Sequence, residues 1–193
     1  MAEMAGADAL GLVFYPHSAR AVKLDRAQAL ARVVGPFTTL VGLFVDAAGE
    51  DIKRVLDRVP LQLLQFHGQE AAEDCEAFGL PYIKAIRMRP ELNLQAAMAA
   101  HPKAAGFLLD AYRKGQPGGT GETFDWERVP QKSDKPIILA GGLTPYNVSA
   151  AVRIVQPYAV DVSGGVEAAP GCKDPGKVKQ FIDNAKQGNH RES

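Results

Sequence analysis

The sequence predicts an α/β fold in which parallel strands alternate with helices and form a (βα)8 TIM barrel. Three observations support this prediction: seven short apolar runs have strand character, helical patterns lie between them, and polar or glycine residues follow most of the runs. Near-continuous apolar strands that alternate with helices indicate a parallel sheet covered on its outer face. We expect residues 1–193 to form one such domain, because 193 residues with 46% apolar and 23% charged side chains are typical of a single globular unit.

The seven apolar runs are predicted strands because they are short, rich in branched and aromatic residues, and bounded by glycine, proline or polar residues. In chain order they are ADALGLVF (7–14), FTTLVGLFV (37–45), LQLLQFHG (61–68), YIKAIRM (82–88), AGFLLDAY (105–112), PIILAGG (136–142) and YAVDVSG (158–164).

The helices between the strands are recognised by apolar residues at spacing i, i+3, i+4, i+7, which places one stripe on one face. Two of these helices also carry start signals, since a residue that can act as an N-cap precedes a proline at the first helical position. These pairs are Thr144 with Pro145 and Asp174 with Pro175. The clearest stripes are Ile52, Val55, Leu56 and Val59; Val148, Ala151, Val152 and Val155; and Val178, Phe181, Ile182 and Ala185.

The positions of the polar residues favour a barrel over a doubly wound sheet. In a barrel the loops at the C-terminal ends of all the strands form one rim, whereas a doubly wound sheet concentrates its function at one switch point. Polar or glycine residues lie at the ends of the last five predicted strands, which is the distribution that a barrel requires. In chain order they are His67, Arg87, Asp110, Gly141 with Gly142, and Asp161 with Ser163.

Composition excludes several classes of function. The 22 basic and 22 acidic residues cancel, so no net field attracts nucleic acid or an anionic membrane. Cys75 and Cys172 lie far apart and form no CxxC motif, which argues against a disulfide framework and a metal site and predicts a cytoplasmic protein. No apolar run is long enough to span a membrane, and the stretch MAEMAGADAL has no basic region typical of a signal peptide.

Glycine-rich turns after the last two strands predict a phosphate site. Gly141 and Gly142 precede a capped helix, and Ser163, Gly164 and Gly165 precede another helical turn. Glycine lets backbone N–H groups approach an anion, and barrels often hold phosphate between their last two loops. The alternative is that these glycines only permit tight turns.

Several motifs together resemble the phosphoribosylanthranilate isomerase family of tryptophan biosynthesis, over nearly the whole chain. The resemblance rests on AGADALGLVFYPHSARAV, QFHG, LLDAYRKGQPGGTGETFDW, ILAGGLTPYNV and VDVSGGVEAAPGCKDP. It implies a single-domain barrel that catalyses an Amadori rearrangement of N-(5-phosphoribosyl)anthranilate to 1-(2-carboxyphenylamino)-1-deoxyribulose 5-phosphate. It implies neither a cofactor nor a metal.

The resemblance also implies roles for individual residues. Asp110 matches the general acid that protonates the furanose ring oxygen. Arg20 matches an arginine that contacts the substrate, at the anthranilate carboxylate, and His67 and Asp161 match further substrate contacts. The segment GQPGGTG is expected to fold over the substrate. Lys84 and Arg87, on opposite faces of one strand, are assigned no role.

The sequence departs from the family pattern at two places. The family opens with a strand of the type KICGIT whose cysteine is the general base, and here Met1 already matches the following helix. We therefore expect negligible isomerase activity from this chain alone and self-association through exposed strand edges. Gly165 stands where many members have a second serine.

Two other functions stay open at this point. One is a truncated, non-catalytic barrel that binds phosphate or assists assembly. The other is a different phosphosugar barrel enzyme, which would need a set of strand-end lysines that the sequence lacks.

Overall fold

A seven-stranded, entirely parallel sheet forms the frame of the molecule. The computed structural model describes residues 1–111 and 124–188. Each strand pairs with the next one in the chain, so the order in the sheet is the order in the sequence. All seven predicted strands are confirmed: β1 (Ala9–Val13), β2 (Thr39–Phe44), β3 (Leu63–Phe66), β4 (Tyr82–Met88), β5 (Gly106–Ala111), β6 (Ile137–Leu139) and β7 (Ala159–Val160).

Helical segments connect consecutive strands, as the spacing of apolar residues predicts. The connection between β5 and β6 carries, in its described part, a 3-10 turn at Trp126–Arg128. Two other 3-10 turns lie at Glu3–Ala5 and Gly164–Val166. Within the described residues, no helix is both long and apolar enough to cross a membrane. The helices are α1 (Leu24–Ala31), α2 (Gly49–Leu56), α3 (Ala72–Glu76), α4 (Leu94–Ala99), α5 (Val148–Val155) and α6 (Pro175–Gly188).

The predicted start at Asp174 is correct, and the one at Thr144 is correct as a cap but lies ahead of the regular helix. Asp174 Oδ1 accepts a hydrogen bond of 2.9 Å from Lys177 N–H, so Asp174 caps α6 ahead of Pro175. The regular helix α5 begins only at Val148, three residues after Pro145. Thr144 nevertheless caps the turn that leads into it, because its Oγ1 accepts from Tyr146 N–H at 3.2 Å and its carbonyl accepts from Val148 N–H at 3.1 Å. Asn147 completes this capped turn: its Oδ1 accepts from Thr144 N–H at 2.8 Å and its Nδ2 donates to the Gly142 carbonyl at 3.0 Å.

A short antiparallel hairpin after β7 was not predicted. It pairs β8 (Glu167–Ala169) with β9 (Cys172–Lys173), and Glu167 lies opposite Lys173. The segment carries no apolar alternation, so its sequence is that of a loop. The hairpin matters because it brings charged side chains to the end of β7.

Alternation of side chains divides the sheet into two apolar layers. Outward residues such as Phe66, Phe107 and Leu109 pack with the helices in the main core. Inward residues pack in a second, smaller cluster made of Ile83, Ala85, Leu108 and Ala140, with Leu63 and Ile138 against them. Inward residues nearer the C-terminal ends of the strands, such as Gln65, Arg87 and Asp110, line a cavity instead.

A buried ion pair lies in the outer layer. Lys84 on β4 places its Nζ 2.9 Å from Glu70 Oε2 and 2.8 Å from the Gly68 carbonyl, and both charged side chains are 7% exposed. Burial acts to raise the pKa of Glu70, but hydrogen bonds from the Asp46 N–H and from Lys84 outweigh it and lower that pKa.

We expect Lys84→Met to lower the free energy of unfolding by about 3–5 kcal/mol, because it leaves the Glu70 carboxylate buried without its cation. Urea unfolding at pH 7 measures the change. Lys179→Met is the matched control, since Lys179 and Asp183 form an exposed pair and should change stability by about 0.5 kcal/mol or less. An equal decrease in the free energy of unfolding of the two variants would show that the buried pair stabilises the protein no more than the exposed pair does.

Candidate active site

One cavity of about 500 Å³ opens at the C-terminal ends of the strands. Loops after β1, β6 and β7 form its sides, and inward residues of β3, β4 and β5 with their strand ends form its floor. All the candidate site residues predicted from the sequence line this cavity: Arg20, His67, Asp110, Gly141, Gly142, Asp161, Ser163, Gly164 and Gly165. The structure therefore brings the candidates together, while the roles assigned to them stay predictions.

A histidine and a carboxylate face each other across the floor. His67 directly follows β3, Asp110 lies on β5, and the distance between His67 Nε2 and Asp110 Oδ2 is 3.1 Å. Asp110 is only 9% exposed. Arg87 lies on β4, the strand between β3 and β5, where it pairs in register with Asp110. Its Nη2 lies 3.5 Å from the His67 carbonyl. The pair is thus fixed by adjacent strands.

The backbone around His67 is held from several sides. Its N–H donates to the Phe44 carbonyl of β2 at 2.9 Å. The Phe66 and Gly68 carbonyls on either side accept from Lys84 Nζ, at 3.4 and 2.8 Å. The buried lysine in the outer layer therefore also fixes the strand end that carries the imidazole.

Asp161 brings a second carboxyl group to the cavity. Its N–H donates to the Leu139 carbonyl at 2.8 Å, which extends the pairing of β6 and β7 by one residue. Enclosure by the surrounding protein raises the pKa of this carboxyl, and the nearby Asp110 charge adds to the rise. His67 and Lys173 act in the opposite direction. The side chain still meets solvent through the open cavity.

Arg20 is held in a bidentate ion pair. Its Nε and Nη2 donate to the two carboxylate oxygens of Glu167, each at 2.8 Å. Burial by itself would raise the pKa of Glu167, but the bonds from Arg20 and Lys173 lower it to about 2. The Glu167 bond in turn raises the pKa of Arg20. The guanidinium therefore reaches the cavity with one edge already occupied.

The two glycine turns are in contact with each other. A Cβ on Gly165 would lie 1.9 Å from the Leu143 carbonyl oxygen, so only glycine permits this approach. Lys173 Nζ donates to the Ser163 carbonyl at 2.8 Å and lies 3.0 Å from Glu167 Oε1. The loop after β7 is thereby tied both to the loop after β6 and to the ion pair of Arg20.

Sequence reasoning missed Gln65 and Glu167. Gln65 could have been found, because it lies two residues before His67 and so shares its face of β3. Glu167 could not have been found from the sequence, because its position depends on the β8–β9 hairpin, which was not predicted. Neither Cys75, which is buried in α3, nor the exposed Cys172 lines the cavity, and burial raises the pKa of Cys75 to about 12.

No metal cluster is present in the part of the chain that the structure describes, where no three potential ligands come together. The predicted covering segment GQPGGTG, at 115–121, lies outside the described residues.

The fold and the cavity define a β/α-barrel enzyme with acid–base groups on its floor and glycine turns at the ends of its last two strands. Residues 1–184 match the family of N-(5'-phosphoribosyl)anthranilate (PRA) isomerase. The chain belongs to that family.

Individual relatives agree with this assignment. The chain is 60% identical over 183 residues to N-(5'-phosphoribosyl)anthranilate isomerase of Cellvibrio japonicus, covering 95% of this chain and 85% of that protein. Phosphoribosyl anthranilate isomerase from Thermotoga maritima has a TM-score of 0.88 and 39% identity, over 96% and 91% of the two chains. A phosphoribosyl anthranilate isomerase solved with reduced 1-(o-carboxyphenylamino)-1-deoxyribulose 5-phosphate has a TM-score of 0.84 and 37% identity, over 96% and 90%.

The pKa of Glu167 predicts a pH-dependent contribution to stability. Because its pKa falls from 4.5 to about 2 on folding, the stabilisation is present above pH 4.5 and is lost as the pH falls towards 2. We expect Glu167→Gln to lower the free energy of unfolding by about 1–3 kcal/mol at pH 7. Urea unfolding at several pH values should show this difference narrowing between pH 4.5 and pH 2.

Asp51→Asn is the control, since Asp51 pairs with Arg54 in the open, at 59% exposure. A difference between wild type and Glu167→Gln that stays constant down to pH 2 would contradict the ion-pair interpretation.

Proposed function

We propose that the active site in this chain serves the rearrangement of N-(5'-phosphoribosyl)anthranilate to 1-(2-carboxyphenylamino)-1-deoxyribulose 5-phosphate, a step of tryptophan biosynthesis. The observation that carries the proposal is the Asp110 carboxyl, 3.1 Å from His67 on the floor of a cavity that Arg20 and both glycine turns also line. A family of biosynthetic enzymes and two unpaired cysteines support a cytoplasmic location.

Asp110 is the proposed general acid. The anthranilate nitrogen donates its lone pair to C1 of the ribose, the bond between C1 and the ring oxygen breaks, and Asp110 transfers its proton to that oxygen. Loss of the C2 proton from the resulting protonated Schiff base gives an enolamine. This becomes the C2 ketone when C1 takes up a proton and the C2 hydroxyl loses one. We assign no described residue to the removal of the C2 proton.

The two ends of the substrate require two anion sites. For the phosphate we propose the backbone N–H groups of the turns at Gly141–Gly142 and Ser163–Gly165. For the anthranilate carboxylate we propose Arg20, through N–H groups that Glu167 does not occupy. His67 and Asp161 are proposed contacts to the ribose between these ends.

A phosphate-binding barrel without catalytic activity is not favoured. Binding phosphate alone requires only the glycine turns, whereas the floor also carries the Asp110 and His67 pair. The relative that is 60% identical is itself named as an isomerase.

We expect Asp110→Asn to abolish turnover and to leave the affinity for the reduced product analogue within about threefold, because an amide cannot donate the acid proton. Turnover assays and calorimetric titration measure the two quantities, in a form extended at its N-terminus by a KICGIT-type strand. Asp134→Asn, at an exposed position before β6, should change neither. Turnover retained within about tenfold, or about 1.4 kcal/mol of barrier, would remove Asp110 from the role.

Inorganic phosphate should raise the melting temperature by roughly 5–10 °C at a hundred times its Kd. Gly142→Asp should abolish this shift, because its carboxylate repels phosphate at the turn. Gly79→Asp is the matched control: Gly79 and Gly142 both have a φ of 68°, but Gly79 does not line the cavity. A phosphate shift lost equally in both variants, or absent from the wild type, would contradict the proposed phosphate site.

A further inference from the structure

Three side chains form a hydrogen-bonded chain across the floor of the cavity. Gln65 points inward from β3 and is 7% exposed. Its Nε2 lies 3.1 Å from Nδ1 of His67, and Nε2 of the same imidazole lies 3.1 Å from Oδ2 of Asp110. Within the described part of the chain, Gln65 and Asp110 are the hydrogen-bond partners of the two ring nitrogens.

The chemistry of these groups permits one consistent arrangement of protons when Asp110 is ionised. A carboxylate only accepts hydrogen bonds, so His67 Nε2 must carry a proton and donate it. A neutral imidazole then has a lone pair at Nδ1, which needs a donor. The carboxamide of Gln65 supplies that donor through its NH₂ group. The opposite tautomer would need the carboxamide oxygen at Nδ1 and a proton on Asp110 directed at His67.

We propose that Gln65 sets the tautomer of His67, so that the imidazole donates to Asp110 Oδ2 and the transferable proton of Asp110 is carried on Oδ1. This inference rests on the proposed role of Asp110 as general acid. Because Oδ2 accepts from His67 in either state of the carboxyl, only Oδ1 is available to hold the acid proton. In the opposite tautomer that proton would be shared with the imidazole and kept from the substrate.

The position of Oδ1 agrees with this role. A Cβ built on Gly141 would lie 2.8 Å from Oδ1, so this oxygen faces the loop after β6. Gly141 and Asp110 both line the cavity. The acid proton is therefore carried on the side of the carboxyl that meets the proposed phosphate turn, and Gln65 acts through His67 as a positioning residue.

The other charged groups around His67 act on different atoms. Arg87 from β4 contacts the His67 carbonyl, and Lys84 contacts the carbonyls on either side. Asp161, after β7, interacts with His67 through its charge. None of them offers the Nδ1 lone pair a hydrogen bond within the described residues, so the selection of the tautomer falls to Gln65.

The test is NMR spectroscopy of the ligand-free protein with ¹⁵N-labelled histidine and glutamine, in which His67→Gln identifies the ring signals. The wild type should show His67 protonated at Nε2 alone and a ¹⁵N–¹⁵N coupling across the bond from Gln65 to Nδ1. Gln65→Glu should give a ring protonated at both nitrogens at pH 7, since a carboxylate at Nδ1 requires N–H there. Gln69→Glu, at an exposed position beside the same strand end, should leave the ring unchanged.

A wild-type ring protonated at Nδ1, or a Gln65→Glu ring in the wild-type state, would overturn the proposal. If Gln65→Glu fails to fold, Gln65→Met keeps the length without the donor; it should lose the coupling and shift the Nδ1 signal, and an unshifted signal would also overturn it. The spectra need no substrate. The expected ring state in the wild type, with no isomerase turnover from the form extended by a KICGIT-type strand, would therefore contradict the proposed function while supporting the tautomer assignment.

Discussion

The alternation of side chains along three neighbouring parallel strands is the constraint on which the cavity depends. Residues of β3, β4 and β5 that point inward at the N-terminal end are apolar, and those at the C-terminal end are Gln65, His67, Arg87 and Asp110. A register slip of one residue would turn this whole set into the helical layer. The packing of aliphatic side chains at one end of the strands thus decides where the acid and the imidazole meet at the other.

Two charged groups hold the loops to this frame from different sides. Lys84 works from the outer layer and binds the carbonyls next to His67. Glu167, at the rim of the cavity, forms ion pairs with Arg20 and Lys173. Lys173 also donates to the Ser163 carbonyl in the loop after β7. Burial of charge is costly unless it is fully paired, and in both groups the partners are backbone or side-chain atoms at hydrogen-bond distance. The loops that line the cavity are therefore held in place by polar contacts from both sides.

The strands, three helices and the candidate cavity residues could be predicted from the sequence. The spacing of apolar residues and the polar residues that follow each strand can be recognised within short stretches of sequence. Thr144 was correctly predicted as a cap, but the first residue of α5 was not, since a turn through Asn147 separates the cap from the regular helix at Val148. The bond from Arg20 to Glu167 joins residues 147 positions apart and depends on a hairpin without a strand pattern. Contacts of that kind are set by tertiary geometry alone.

The bidentate bond between Arg20 and Glu167 has a consequence for selectivity. A free arginine loses up to about 2 kcal/mol of rotamer entropy when a ligand orders it, and here Glu167 has already ordered the guanidinium. The same carboxylate offsets the charge of the arginine, so the attraction that remains for a distant anion is small. The proposed binding of a carboxylate by Arg20 would accordingly depend on shape and short-range fit more than on long-range charge.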